Sequence, residues 1–416
     1  MKRNFTIFIS LLLTACHTVK QNPVPEHLAS VAEIPGFQDI RSNFNEGTNQ
    51  KIKMQSIARV KQLAKSYPDT MYHHKGAFTL LVISGGADYG AFGAGLLNGW
   101  TKSGTRPSFT TVTGISTGAL IAPLAFAGPK YDATLKKVYT TISTKDVLSD
   151  KPLLWTLATG GSSLKGTKPL QNLIAQHVNE ALLHDIAKGY YEGRRLYIGT
   201  SNLYARDLVV WDMTKIAASK NPEKLNLFRK IMLASASIPV VMPPVYFDVV
   251  AKGKSYTEMH VDGGTTFGVF LSRLNSDIHA AKKYLKLKQK PNINIYVIRN
   301  NQNHFHYKIV KPKVLDIGKR AVESVTAAQG AADVIFIYLC ALLNGADFNL
   351  ANVPNEFNSN SEELFDTQRM NQLYQIGYSK ALKGYPWQKV PPDVAKQHQG
   401  KSTMGSNAGL RSRGGI

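Results

Sequence analysis

Thr79-Leu80-Leu81-Val82-Ile83 runs directly into Ser84-Gly85-Gly86-Ala87-Asp88-Tyr89-Gly90, and further on Thr110-Thr111-Val112-Thr113 runs into Gly114-Ile115-Ser116-Thr117-Gly118. Each apolar or β-branched run reads as a strand, and each is stopped by glycines. A helical pattern follows both times, over 91–100 after the first and through Ala127 after the second. Strand, glycine turn, helix, twice over, is the pattern of an α/β fold. Further strands are expected over 196–200, 208–211, 245–250 and 293–298, with another from Tyr256 toward Asp262. Helical spacing recurs over 52–64, 169–187, 225–235, 331–343 and 362–382. The 331–343 stretch is nearly all apolar and is expected to be too short to span a bilayer. Its 334–343 part has two readings, a core helix or a surface that meets acyl chains or membrane.

The 416 residues are 43% hydrophobic and 19% charged, which supplies a core and excludes wholesale disorder. The 33 Gly and 19 Pro are ordinary usage, so no collagen-like reading survives. Fifty Lys and Arg against 28 Asp and Glu leave a net charge of +22, which calls for an anionic partner or surface. Nucleic acid is excluded as the expected partner, because the basic residues are dispersed without zinc spacing, a basic zipper or an aromatic RNA-binding pattern. Anionic lipid headgroups fit better, at about 1 kcal/mol per nearby basic residue. No cofactor and no metal are expected: the 11 His are scattered, with no H-E-x-x-H and no Cys/His cluster. His304 and His306 read as a surface pair.

The N-terminus is basic at Lys2 and Arg3, apolar over 7–13, and ends in Leu13-Thr14-Ala15-Cys16. This reads as a secretory signal, and its last four residues resemble a bacterial lipobox, in which Cys16 would carry the lipid. The expected location is the bacterial cell envelope, lipid-anchored, with the outer membrane favoured because His17 and Thr18 follow the Cys. The organisation expected from these readings is a lipoprotein signal peptide over 1–16, a tether and N-terminal helix over 17–77, a catalytic domain over 78–275, an extension packed on or capping it over 276–400, and a disordered tail over 401–416.

Three motifs carry chemistry. Gly114-Ile115-Ser116-Thr117-Gly118 is a G-x-S-x-G between strand and helix, where flanking glycines permit a sharp turn that exposes the Ser oxygen at a helix N-terminus. The plain alternative is a Ser that caps the helix at Leu120. The Ser84–Gly90 loop is rich in small residues that let backbone N–H groups face inward, as an oxyanion site requires. Its glycine spacing is not G-x-G-x-x-G and no Gly-Lys-Ser/Thr follows, which argues against nucleotide. Val261-Asp262-Gly263-Gly264 puts a carboxylate at a strand end beside two permissive glycines, where it can activate Ser116. Taken alone, an Asp-Gly-Gly is a common turn.

The order of these three motifs resembles the patatin-like phospholipases. So do Gly199-Thr200-Ser201-Asn202-Leu203, Val210-Trp211-Asp212-Met213, Ala234-Ser235-Ala236-Ser237-Ile238-Pro239 and Pro243-Pro244-Val245. The resemblance implies a three-layer α/β/α fold with a mainly parallel central sheet, here followed by a helical C-terminal extension. It implies Ser116 as nucleophile, Asp262 as its base in a Ser-Asp dyad, and Gly85, Gly86 and Ala87 as the oxyanion loop. The implied activity is hydrolysis of acyl esters of membrane lipids, with a phospholipid or lysophospholipid substrate. Two positions depart from the family pattern: Ala87 stands at the third loop glycine, and Tyr89 stands where an Arg is often found. Two alternatives remain: a Ser-Asp-His esterase using His279 or His304, and a non-catalytic lipid-binding envelope lipoprotein. Oligomeric state is not legible.

Overall fold

The computed structural model describes residues 22–46, 49–72, 78–150, 163, 165–286, 291–303, 307, 309–359, 361 and 363–395. The expected signal peptide with Cys16, the tail over 401–416, and His304 and His306 lie outside the described residues.

Among the described residues nine strands form one sheet: β1 (Arg41–Asn43), β2 (Phe78–Ile83), β3 (Thr111–Gly114), β4 (Arg195–Asn202), β5 (Asp207–Asp212), β6 (Val245–Ala251), β7 (Lys254–Asp262), β8 (Ile293–Arg299) and β9 (Asp347–Asn352). The order across the sheet is β1-β5-β4-β3-β2-β8-β9, and β7 pairs with both β4 and β6. The run β4-β3-β2-β8-β9 is parallel, and the remaining pairs are antiparallel. From β2 the chain moves outward through β3 to β4, then returns to set β8 on the other side of β2. That reversal makes the carboxyl end of β2 a switch point, where open α/β sheets form their ligand crevice.

Helices cover both faces. On one lie α2 (Gly90–Lys102), α3 (Thr117–Ala127), α4 (Glu180–Tyr191), α5 (Lys224–Ser235) and α8 (Thr367–Leu382); on the other lie α1 (Gln50–Ser66), α6 (Leu274–Leu285) and α7 (Val314–Asn344). Strand β2 shows why two cores form. Leu81 and Ile83 enter the first core, while Phe78, Leu80 and Val82 enter the second, the two-residue period of a strand buried on both faces. This is the expected three-layer α/β/α architecture with a mainly parallel sheet.

Four expectations need revision. The polar stretch read as a tether is built into the fold over 22–46: Leu28, Ile34, Phe37 and Ile40 are buried in the first core, and β1 pairs with β5. Arg41 anchors it by donating Nη2 to Glu258 Oε1 at 3.0 Å. The segment after 275 does more than pack on a finished domain. It supplies β8 and β9, with Ile293–Ile298 in register against Phe78–Ile83. The helix expected over 169–187 is two helices, Lys168–His177 and Glu180–Tyr191, because the Asn179 side chain caps the second by accepting from Leu182 N at 3.1 Å. Finally, the apolar helix expected over 331–343 extends from Val314 to Asn344, and is long and apolar enough to cross a membrane by length and composition alone. Its Val334, Ile337 and Ala341 are nevertheless buried in the second core.

Candidate active site

Ser116 occupies the turn between β3 and α3 with φ 56° and ψ −123°. Such a backbone costs a non-glycine residue on the order of 1–3 kcal/mol and persists only where the surroundings impose it. The imposing contact is the end of β2: a Cβ on Gly118 would lie 2.4 Å from the Ile83 carbonyl oxygen, so only glycine lets the turn close. The Ser116 side chain caps no N–H of its own helix. Instead its Oγ donates to Asp262 Oδ2 at 2.6 Å, across 146 residues of sequence.

Asp262 ends β7, and pairing with Thr200 of β4 brings it to the Ser116 turn. Its other oxygen accepts from Gly264 N at 2.7 Å, which gives the Asp-Gly-Gly motif a physical role. Ser116 is 7% exposed and Asp262 is 5% exposed. Burial pushes the Asp262 carboxyl up to about 6, against the smaller lowering effect of the hydrogen bonds from Ser116 and Gly264. The carboxylate is thereby a better proton acceptor than an ordinary Asp, and the N-terminus of α3 favours negative charge at the Ser oxygen.

Residues 234–239 brace both groups. Ser235 Oγ accepts from Ser116 N at 3.1 Å and donates to Gly199 O at 2.7 Å. Ser237 O accepts from Asp262 N at 2.9 Å. The Ala-Ser-Ala-Ser-Ile-Pro block is therefore a strut beneath the pair.

The glycine-rich loop lies alongside. A Cβ on Gly85 would sit 3.2 Å from Ser116 Cβ. Of the three amides expected in the oxyanion site, that of Gly85 is already donated to Gly268 O at 3.2 Å. The N–H groups of Gly86 and Ala87 make no hydrogen bond to another described residue. Both residues have positive φ, 149° at Gly86 and 49° at Ala87.

What holds this loop was missed in the sequence. Asn300, just beyond β8 and fully buried, donates N–H to Ser84 Oγ at 2.9 Å and Nδ2 to Ser84 O at 3.0 Å, while its Oδ1 accepts from Gly93 N at 3.1 Å. Arg369 of α8 donates Nε to Asp88 Oδ2 at 2.8 Å. Asp333 of α7 accepts from Gly268 N at 2.7 Å, fixing the residue that in turn holds Gly85. All three lie after residue 275, and no local pattern marks them. Of the brace residues only Ser235 and Ser237 carried a signal, as members of the Ala-Ser-Ala-Ser-Ile-Pro stretch.

No described histidine hydrogen-bonds to the pair. His279 is exposed on α6. Buried His260 is occupied at Nδ1 by Thr200 Oγ1 (2.8 Å) and at Nε2 by Glu258 (3.1 Å). Among the described residues no group of three or more His, Cys, Asp or Glu is placed to hold a metal.

Residues 81–274 match the family model described as patatin-like phospholipase. No curated protein matches the chain significantly. Among solved structures, VipD from Legionella pneumophila is matched at 11% identity and a TM-score of 0.34, over 74% of this chain and 66% of that one. The match thus takes in just under two thirds of VipD. Residues 81–274, just under half of this chain, thus match the model of the patatin-like phospholipases, and both Ser116 and Asp262 fall within the matched range.

Proposed function

We propose that the protein is a serine lipid acyl hydrolase that cleaves acyl esters of phospholipids or lysophospholipids with a Ser116–Asp262 dyad. The observation that carries the reading is the buried 2.6 Å hydrogen bond from Ser116 Oγ to Asp262 Oδ2. Ser116 attacks the ester carbonyl as Asp262 takes the hydroxyl proton. The N–H groups of Gly86 and Ala87 hold the tetrahedral oxyanion, a contribution of roughly 10²–10³ in rate per donor. Collapse expels the lysolipid or alcohol, which leaves with the proton from Asp262. Water, deprotonated by Asp262, then attacks the acyl-enzyme; the bond from Ser116 Oγ to the acyl carbon breaks, the fatty acid leaves, and Asp262 returns the proton to Ser116 Oγ. The raised Asp262 carboxyl supports this reading, since a base near neutrality balances ionisation against proton affinity.

We further propose that the enzyme works at the bacterial envelope, anchored through Cys16. The Leu13-Thr14-Ala15-Cys16 sequence supports this.

The deciding experiment is mass spectrometry of the products from mixed phospholipids, comparing wild type with Ser116→Ala. Free fatty acid and lysolipid from wild type alone is the expected result. Equal product from both proteins, or none from a folded wild type, overturns the proposal.

A further inference from the structure

Helix α7 carries a second apolar face that is exposed among the described residues. Val314, Ile317, Val325, Phe336, Leu339 and Leu343 fall on one side of the helix. Exposed Ala321, Ala328 and Ala332 fill the intervening turns, so the stripe is continuous. The six larger side chains are each about half exposed or more, from 49% at Leu339 to 87% at Val314. Along 31 residues the stripe is about 46 Å long. Asp316, Arg320 and Glu323 lie on the opposite side. Isolated exposed apolar residues are ordinary, whereas a continuous stripe marks a contact surface.

The charge of the surrounding layer identifies what it contacts. α1, α6 and α7 share one core, and Asn344 Nδ2 at the end of α7 donates to Asn275 Oδ1 of α6 at 2.9 Å. Helix α1 has no carboxylate, and Lys53, Lys61 and Lys65 are exposed along it. The sole carboxylate of α6 is Asp277, buried against Arg59, while Lys282, Lys283 and Lys286 are exposed at its end. An apolar stripe set in a lysine-bearing layer matches a membrane surface of anionic lipid, with acyl chains for the stripe and headgroups for the lysines. A second copy of this chain would bring two basic layers together, and a nucleic acid would leave the stripe uncovered. The position also suits catalysis, because Asp333 of α7 binds Gly268 and Gly268 binds Gly85 beside Ser116.

We infer that α7 is an interfacial docking helix, which seats its solvent-facing stripe in an anionic bilayer and brings the Ser116 site to the lipid surface. The choice of lipid as partner rests on the acyl hydrolase reading, and the test keeps the two apart. Full-length protein is mixed with phosphatidylglycerol/phosphatidylcholine vesicles and with phosphatidylcholine vesicles, at low and high salt. Binding is read by flotation, and turnover is read separately on a short-chain, water-soluble ester. Wild type and Ser116→Ala are expected to float with the anionic vesicles and to release at high salt. Leu339→Glu/Leu343→Glu is expected to lose at least tenfold in binding and in vesicle turnover, with soluble-ester turnover within twofold of wild type. Phe336→Trp, a conservative probe of folding and depth, is expected to show a blue shift on binding and quenching by brominated lipid. Vesicle binding by the double variant equal to wild type overturns the inference, as does an indole introduced by Phe336→Trp that stays unquenched in bound protein. So does a lipid-free dimer that the double variant dissociates. Docking without turnover of any ester refutes the hydrolase reading alone, and soluble-ester turnover without docking refutes this inference alone.

Discussion

Arg369 donates Nε to Asp88 Oδ2 at 2.8 Å, joining α8 to the glycine-rich loop across 281 residues of sequence. Both side chains are buried, at 7% and 4% exposure. Arg369 also donates Nη1 to Ser361 O at 2.7 Å, so its position is set independently of the loop. The reach is possible because α8 lies directly on α2: Gly95 and Gly99 of α2 face the carbonyls of Tyr374 and Tyr378. Burial pushes the Asp88 carboxyl up, and the Arg369 charge opposes that shift. Tyr89 stands where related loops often carry Arg, and here a guanidinium reaches the neighbouring residue from a distant helix.

Removing Arg369 leaves a buried carboxylate unpaired, a change that costs about 3–5 kcal/mol in comparable sites. Arg369→Ala is therefore expected to unfold at markedly lower denaturant. At temperatures where it is still folded, its kcat on a soluble ester should fall on the order of 10²-fold, the size of a lost oxyanion donor, with KM little changed. Asp88→Asn in the same chain should recover part of the stability and none of the rate. Unchanged kcat in folded Arg369→Ala would show that the loop keeps its geometry without the pair.

In the proposed mechanism Asp262 is the base and must be ionised, and its carboxyl stands at about 6 because it is buried. The kcat/KM profile should rise about tenfold per pH unit below pH 6 and level off above it. A profile flat down to pH 4 would contradict the role.

The same shift predicts a trade-off in stability. Between the unfolded value of 3.8 and about 6, the folded chain binds more protons at this site than the unfolded chain does. The contribution is thus fully present below pH 3.8 and is lost as pH rises through 6, by about 3 kcal/mol. Asp262→Asn keeps an oxygen for Gly264 N–H and carries no charge to desolvate. Measured by urea unfolding, it should be more stable than wild type by on the order of 1–3 kcal/mol at pH 8, with the gain gone at pH 4. Its activity should be lost.

Gly86 and Ala87, the proposed oxyanion donors, are expected to respond oppositely to small changes. Gly86 has φ 149°, and an added Cβ would lie 2.1 Å from the Asn300 carbonyl oxygen. Gly86→Ala must move backbone, and should lower kcat by at least about 10². Ala87 already holds φ 49°. Ala87→Gly relieves about 1–2 kcal/mol of left-handed strain and adds about 0.4–1 kcal/mol of unfolded-state entropy. It should therefore stay within about 1 kcal/mol of wild type and remain active. Thermal melts and initial rates on the purified variants check both.

A dyad needs no imidazole. His279→Ala and His304→Ala should each hydrolyse a soluble ester within about twofold of wild type. A loss of 10³ or more in either, the scale of a removed triad member, would restore the Ser-Asp-His alternative.

The chemistry-bearing residues were legible because each sits in a short segment whose local geometry its own neighbours dictate. Glycines around Ser116 and after Asp262 mark turns that no other residue permits, and β-branched runs before them mark buried strands. That much marked an α/β fold and picked out Ser116 and Asp262 as the pair to bring together. The length of α7 was hidden because its apolar stripe over 314–328 is interleaved with charges on the opposite face. The packing of 22–46 was hidden because four anchoring side chains, Leu28, Ile34, Phe37 and Ile40, are spread through a polar stretch. Strand order, with β8 returned beside β2, and the supports from Asn300, Asp333 and Arg369 were decided only by tertiary structure. Each depends on two segments meeting that are far apart in the chain, and such a meeting is selected by the summed burial of both faces of the sheet rather than by any pattern within a single segment.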